Sequence, residues 1–327
     1  MASVDVVVPC YQYGRFLHEC VTSVLAQDVP KLRILIIDNA SDDDSLEIAQ
    51  QLAAEDSRVE VLANATNKGA TYSYNEGVDW ACADYFLLLD ADDLLAPHCL
   101  SRAVAVLEQR PEISFTHGVE ARLFPDGSIG PGGLDWGNPE WTVSSGREFI
   151  ERLCRTPVNN VGANTVVRRT SAQKRVGYYN PSLPYSDDLE MWLRLATVGS
   201  VASTRTVQAI RRYHESRMSA AYDGVGLRDF TERQAAFDSF FWHQGQYLQN
   251  AAQLLKAART GLGQHAYWSA VSHLVRGQGQ AALRLLGYAL QNCPSAALLP
   301  PVGWVLRMDR PLARIGEIAS EVLLRRG

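Results

Sequence analysis

The chain is predicted to be an α/β protein: a mostly parallel central sheet with helices on both faces, then a helical appendage. Three observations predict this. Short apolar runs recur at residues 4–8, 32–37, 59–62 and 85–89. Helix-periodic stretches at 16–26, 46–54 and 71–81 alternate with them. Such alternation builds βαβ units whose strands are buried on both faces. Finally, each run ends in distinctive polar residues, and in a parallel sheet those ends share one edge, where ligands bind.

The elements follow in order. A helix over 97–109 opens on Pro97, whose missing N–H costs nothing in a first turn. Residues 113–123 read as strand and Pro125-Asp126-Gly127-Ser128 as a turn. The glycine-rich stretch 130–139, carrying Trp136, is expected to be a loop that closes over a substrate. Ser145 and Glu148 have capping-box spacing ahead of 149–153. Residues 164–168 read as strand, and 187–196 as a helix with acids in its first turn, where the macrodipole favours them. Beyond residue 225 the pattern is helical, with a helix-turn-helix over 266–289 turning at Gly277 to Gly279. The expected domains are 1–222, catalytic, and 223–327, helical.

Composition narrows the class. With 46% hydrophobic and 20% charged residues in 327, the chain is an ordinary globular protein. Residues 1–204 hold 16 basic and 28 acidic side chains, so an acidic front half argues against nucleic acid. Residues 205–327 hold 15 basic and 8 acidic ones. Six cysteines without a CxxC or framework spacing read as reduced thiols of a cytoplasmic protein. No run is long enough to span a bilayer. Arg307, Arg310, Arg314, Arg325 and Arg326 flank Trp304, Leu306 and Leu312. That basic amphipathic tail raises two expectations: peripheral contact at the inner face of the cell membrane, or a homo-oligomer contact.

The most telling segment is Leu87-Leu88-Leu89-Asp90-Ala91-Asp92-Asp93. Three carboxylates at the end of an apolar strand repel one another and need a counter-charge. Oxygen ligands of this kind suit Mn²⁺ or Mg²⁺, and a cation there would hold a diphosphate. Topology gathers Tyr11, Asp38, Asn67 and Asp92 at the same edge. Structural readings compete. Tyr11 could be plain packing, Asp38 a helix cap, and Asn67 and Gly69 a tight turn. Trp192 reads as core packing ahead of an acceptor platform.

The strand-end residues resemble a known family. Val6-Val7-Val8-Pro9-Cys10-Tyr11, Ile36-Ile37-Asp38-Asn39-Ala40-Ser41, Asn67-Lys68-Gly69 with Asn75-Glu76-Gly77, and Asp90-Ala91-Asp92-Asp93 look like the ordered motifs of family 2 glycosyltransferases of the GT-A fold. Gly177 to Asn180 and Tyr185 to Arg194 resemble that family's acceptor-side motif, and Tyr213-His214 with Ser219 its catalytic-domain close. The resemblance covers roughly 3–220. It implies transfer of a sugar from a nucleotide-sugar donor, a UDP-sugar by preference, to a carbohydrate, lipid-linked or protein acceptor, usually with inversion. By position it implies Pro9 and Tyr11 flanking the base, Asp38 on the uracil or ribose edge, and Asn67, Lys68 and Gly69 near the donor. It also implies Asp90 at the ribose or sugar, Asp92 as metal ligand with His214 completing the site, and Asp188 as general base beside Asp187. Two departures stand out: Asp38-Asn39-Ala40-Ser41 where Asp-Asp-Gly-Ser is common, and Tyr74 where an arginine often precedes the asparagine. The alternatives are a phosphotransferase or phosphatase using Asp90 and Asp92, and a non-catalytic binding protein with a helical tail.

Overall fold

The computed structural model describes residues 2–137, 139–215, 226–305 and 307. The chain divides into two compact units, Met1–Phe149 with Asn159–Arg217, and Ile150–Val158 with Met218–Gly327.

The first unit begins as its apolar runs require. Strands β1 (Ser3–Cys10), β2 (Lys31–Asp38), β3 (Val59–Ala63) and β4 (Tyr85–Leu88) alternate with helices α1 (Gly14–Leu25), α2 (Ser45–Glu55) and α3 (Ala70–Trp80). These strands pair in parallel, in the order β3-β2-β1-β4. Val4, Val6, Val7 and Val8 of β1 are wholly buried, as are Ile34, Ile36 and Ile37 of β2. Helices packed on both faces explain why these strands are apolar without alternation. At Gly77 an added Cβ would lie 2.5 Å from Val7 Cγ1, so glycine lets α3 sit flat on the sheet. Gly77→Ala is therefore expected to cost about 1–3 kcal/mol. That corresponds to a Tm lowered by roughly 2–4 °C per kcal/mol in a thermal melt.

Beyond β4 come β5 (Leu94–Leu95), α4 (Cys99–Gln109), β6 (Ile113–Leu123), β7 (Ile129–Gly130), β8 (Thr142–Ser144) and α5 (Gly146–Arg155). Then follow β9 (Val167–Arg169), α6 (Thr170–Val176), α7 (Asp187–Ala196) and β10 (Ser200–Arg212). The path continues β4-β9-β6-β10-β5, with β9 antiparallel to both its neighbours and β6 parallel to β10. The capping box is real: Ser145 N–H donates to Glu148 at 2.8 Å and Glu148 N–H to Ser145 Oγ at 3.2 Å. Helix α7 has the predicted bounds. The 164–168 strand is corrected: Ala163–Thr165 forms a 3₁₀ turn and pairing starts only at Val167. The 130–139 loop is tied down at Asp135, whose carbonyl accepts Val207 N–H at 2.7 Å and whose carboxylate accepts the Thr206 hydroxyl.

The second unit is helical: α8 (Leu227–Trp242), α9 (Ala251–Val275), α10 (Gly279–Asn292) and α11 (Val302–Val305). The predicted hairpin is present, with its turn at Arg276 to Gln278, but α9 begins fifteen residues before the expected 266. Phe230, Phe237, Phe240, Leu262, Leu285 and Ala289 form its core. Among the described residues no helix is long and apolar enough to cross a membrane. Ser219, Leu306, Arg310, Leu312, Arg314, Arg325 and Arg326 lie outside the described residues, and with them most of the basic tail.

Candidate active site

The carboxyl ends of β1, β2 and β4 bring Pro9, Tyr11, Asp38 and Asp90 to one edge, as the topology demands. Two buried acids of the sheet show what is unusual there. Asp5 is fully buried and fully used: it pairs with Arg33 at 2.8 Å and accepts the Cys82 and Ala83 N–H groups. Asp38 is equally buried, yet only its Oδ2 has a partner, Ser41 N–H at 3.2 Å, while Oδ1 has none. A buried acceptor without a donor is costly, so Oδ1 could accept a hydrogen bond from a ligand at this edge. Tyr11 leaves its ring largely in solvent.

The neighbouring loop is built by Asn39. Its amide donates to Asn67 Oδ1 at 3.0 Å, and its Oδ1 accepts Lys68 N–H at 3.1 Å. Gly69 N–H also donates to Asn67 Oδ1, and Gly69 takes φ +87°, a conformation that glycine adopts without strain. The departure from the usual motif at Asn39 thus has a structural role. Lys68 is placed at the rim: its amine donates to Asn64 at 2.9 Å and lies over the Tyr72 ring.

At the β4 end, Asp90, Asp92 and Asp93 each offer a carboxylate oxygen within 4.8 Å of the others. They are not equivalent. Asp93 is committed to the scaffold, accepting Arg212 N–H at 3.0 Å and the Asn164 amide at 2.7 Å. Asp92 Oδ2 lies 2.9 Å from His214 Nε2. The His214 ring is wedged against Tyr13 and Phe16, which fixes its orientation. Burial and the charge of Asp92 push the Asp90 carboxyl up to about 7. Clustered carboxylate oxygens fit a divalent cation, and Asp92, Asp90 and His214 are the side chains that could hold one here.

A second acid pair comes from the start of α7. Asp188 is half-buried; Leu189 N–H donates to one oxygen at 2.6 Å and the Asn159 amide to the other at 2.8 Å. Burial raises its carboxyl to about 6, against the pull of those bonds and of Arg211. Asp187 is buried and raised further, to about 8, by burial and by Asp188. Asp188 raises Asp90, Asp90 raises Asp187, and all three act on Tyr74, so the two acid groups are electrostatic neighbours. Tyr74 stacks edge-on to Tyr179, and Asn75 clamps the Tyr179 backbone from both sides, its amide donating to the carbonyl and its Oδ1 accepting the N–H.

Asp187 carries a stability consequence. Its folded pKa lies above the ordinary carboxylate value, so the folded state holds an extra proton between about pH 4 and 8. Stability therefore falls as pH rises through that window. Asp187→Asn removes the loss: in thermal melts its Tm is expected to match the parent near pH 4 and to exceed it increasingly as pH rises to 8.

Sequence reasoning missed Asn159, Arg211 and Glu120. Arg211 sits at the end of β10, 3.6 Å from Glu120. Burial works against its charge, but Glu120, Asp93, Asp90 and Asp92 outweigh that and raise its pKa. It is the fixed cation of the acid cluster. Trp192 is core, as its leading reading has it, and the acceptor-side alternative is corrected: it is fully buried, its ring 5.8 Å from Phe115 and 5.5 Å from the Arg168 guanidinium.

Residues 5–176 match the family model described as glycosyl transferase family 2. The chain belongs to that family. An uncharacterized glycosyltransferase of Haemophilus influenzae is 26% identical over 226 residues, 67% of this chain and 68% of that protein. The hyaluronan synthase of Pasteurella multocida is 24% identical over 68% of this chain, which spans only 22% of that longer protein. Two solved structures share the GT-A fold. One is S. aureus TarS 1-349 with UDP-GlcNAc, with a TM-score of 0.65, 16% identity, and coverage of 90% of this chain and 82% of that one. The other is a Pyrobaculum calidifontis mannosyltransferase with GDP-Man and Mn²⁺, with a TM-score of 0.62, 17% identity, and coverage of 98% and 85%. The protein is thus a glycosyltransferase of GT-A fold, and the phosphotransferase and non-catalytic readings are set aside.

Proposed function

We propose that this glycosyltransferase moves a sugar from a nucleoside-diphosphate donor, UDP-linked, to a hydroxyl acceptor in polysaccharide or glycoconjugate synthesis, with inversion and with a divalent cation. One observation carries the reading: two acid groups, Asp90–Asp92 just beyond β4 and Asp187–Asp188 at the start of α7, come from separate segments yet lie near enough for their charges to act on one another. A single displacement needs that arrangement, with charge neutralised on one side of the anomeric carbon and a base on the other.

The donor's base lies against Tyr11 and Pro9, and Asp38 Oδ1 accepts its ring N–H, filling the orphan position. Asn67 and Gly69, ordered by Asn39, border the donor. Mn²⁺ or Mg²⁺ would be held by Asp92 with His214 and Asp90; bound there, it supplies Lewis-acid stabilisation of the departing diphosphate. Asp188 takes the acceptor's proton. Asn159 and the Leu189 N–H hold its carboxylate in place while it does so. Asp187, retaining its proton to about pH 8, spares that base a second adjacent negative charge.

A thermal-shift series tests the donor. With Mn²⁺ present, UDP and a UDP-sugar should raise Tm, since ligand binding stabilises the folded state by mass action. Asp38→Ala should abolish the shift. A shift from GDP-sugars alone, or one indifferent to Asp38, would count against the UDP assignment.

A further inference from the structure

Within the helical unit a cavity of about 370 Å³ has no place in the transfer reaction. It is lined by Arg155, Lys256 and Arg307, with Gln253, Thr260 and Gln264 between them. The three cations come from three segments: the end of α5, the outer face of α9 and the residue just beyond α11. Their convergence is built. An alanine Cβ at Gly261 would lie 2.6 Å from Pro157 Cδ and 3.2 Å from the Arg155 carbonyl, so glycine lets that segment lie on α9. Arg307 then reaches the Arg155 carbonyl at 3.4 Å.

None of the lining residues is acidic. Glu151 pairs with Arg155 at 2.9 Å, which leaves two of the three cations without an acid among the described residues. Like charges drawn together around a cavity favour an anion in it. Two guanidiniums and an ammonium suit phosphate oxygens, which take paired N–H donors. A further observation narrows the ligand. Gln264, one of the lining residues, has a buried Oε1 without a hydrogen-bond partner. It wants an O–H or N–H donor, and a bare phosphate dianion offers none.

We propose that this cavity binds a phosphate ester of a polyol or sugar, the phosphate on Arg155, Lys256 and Arg307 and a hydroxyl on Gln264. The site is separate from the strand-end acids and does not rest on the transfer reading. A cavity of about 370 Å³ with a hydrogen-bond acceptor among its lining residues has room for a small ester group.

Calorimetric titration of the metal-free full chain, at matched ionic strength, tests it. Glycerol 3-phosphate should bind saturably and several-fold tighter than inorganic phosphate. Arg155→Gln with Lys256→Gln should weaken both at least about tenfold, the scale of one lost charge-assisted contact. Gln264→Leu should erase the preference for the ester while leaving inorganic phosphate binding in place. Binding indifferent to the double substitution, no saturation by about 100 mM, a millimolar-scale limit on any useful site, or response only to anionic lipid vesicles would each overturn the proposal. If the double variant fails to fold, hydrogen exchange of the unaltered chain decides. Added glycerol 3-phosphate should slow exchange over residues 253–264; slowing confined to 87–93, or none, rejects the site.

Discussion

Asp188→Asn is expected to lower kcat by about two to four powers of ten while leaving donor affinity near its original value. The amide keeps the shape and can still meet Leu189 N–H, but it cannot accept a proton from the acceptor hydroxyl. The pH profile separates this role from a structural one. The parent's Asp188 carboxyl is raised to about 6 by burial. Activity should therefore be full above that pH and fall about tenfold per unit below it, because the protonated acid is no base. The residual activity of Asp188→Asn should lack that acid limb. A variant that keeps the limb at reduced height would move the base to another residue. Asn159→Ala should show a smaller loss, since it frees one carboxylate oxygen rather than removing the base.

The second large effect is at Asp92. Asp92→Asn should lower kcat/KM by about three powers of ten or more, on the scale reported for a single electrostatic group aimed at developing charge. Excess Mn²⁺ should restore little of it, because the lost ligand is also the partner that fixes His214 at 2.9 Å. His214→Ala should be milder and partly rescued by added metal. Equal losses at both positions would mean that their hydrogen bond, rather than a cation, is what turnover requires.

Much of this site was legible before any coordinates. Asp38 and Asp90 to Asp93 stood out because polar residues abruptly closed apolar strands, and a parallel sheet puts such ends together. Strand β10 was not legible, although it carries Arg211 and Arg212 and leads to His214. Its buried residues mix polar with apolar: Thr206 and Gln208 are buried beside Val207 and Ala209, and the pairing with β6 slips at Ser203/Val207 and again at Val207/Ala209. Buried polar residues and register slips together erase the alternation that marks a strand. Strands β5 and β8 are two and three residues long and exist only because β10 pairs with them. Asn159 lies in a loop with no periodicity, and only the fold brings it to Asp188, 29 positions on. Choosing Asp188 over Asp187 came from the family resemblance, since both are acids in one helix's first turn. In the structure the two separate: Asp187 is buried and its carboxyl is raised to about 8, whereas Asp188 is half-buried and raised only to about 6.

The central claim is that Asp92 anchors a divalent cation that in turn holds the donor's diphosphate. Electron paramagnetic resonance of Mn²⁺ titrated into the protein with UDP addresses it directly. One Mn²⁺ per chain should leave the free-ion signal when UDP is present, and Asp92→Asn should leave that signal undiminished. Stoichiometric loss of free Mn²⁺ in the Asp92→Asn chain would contradict the claim.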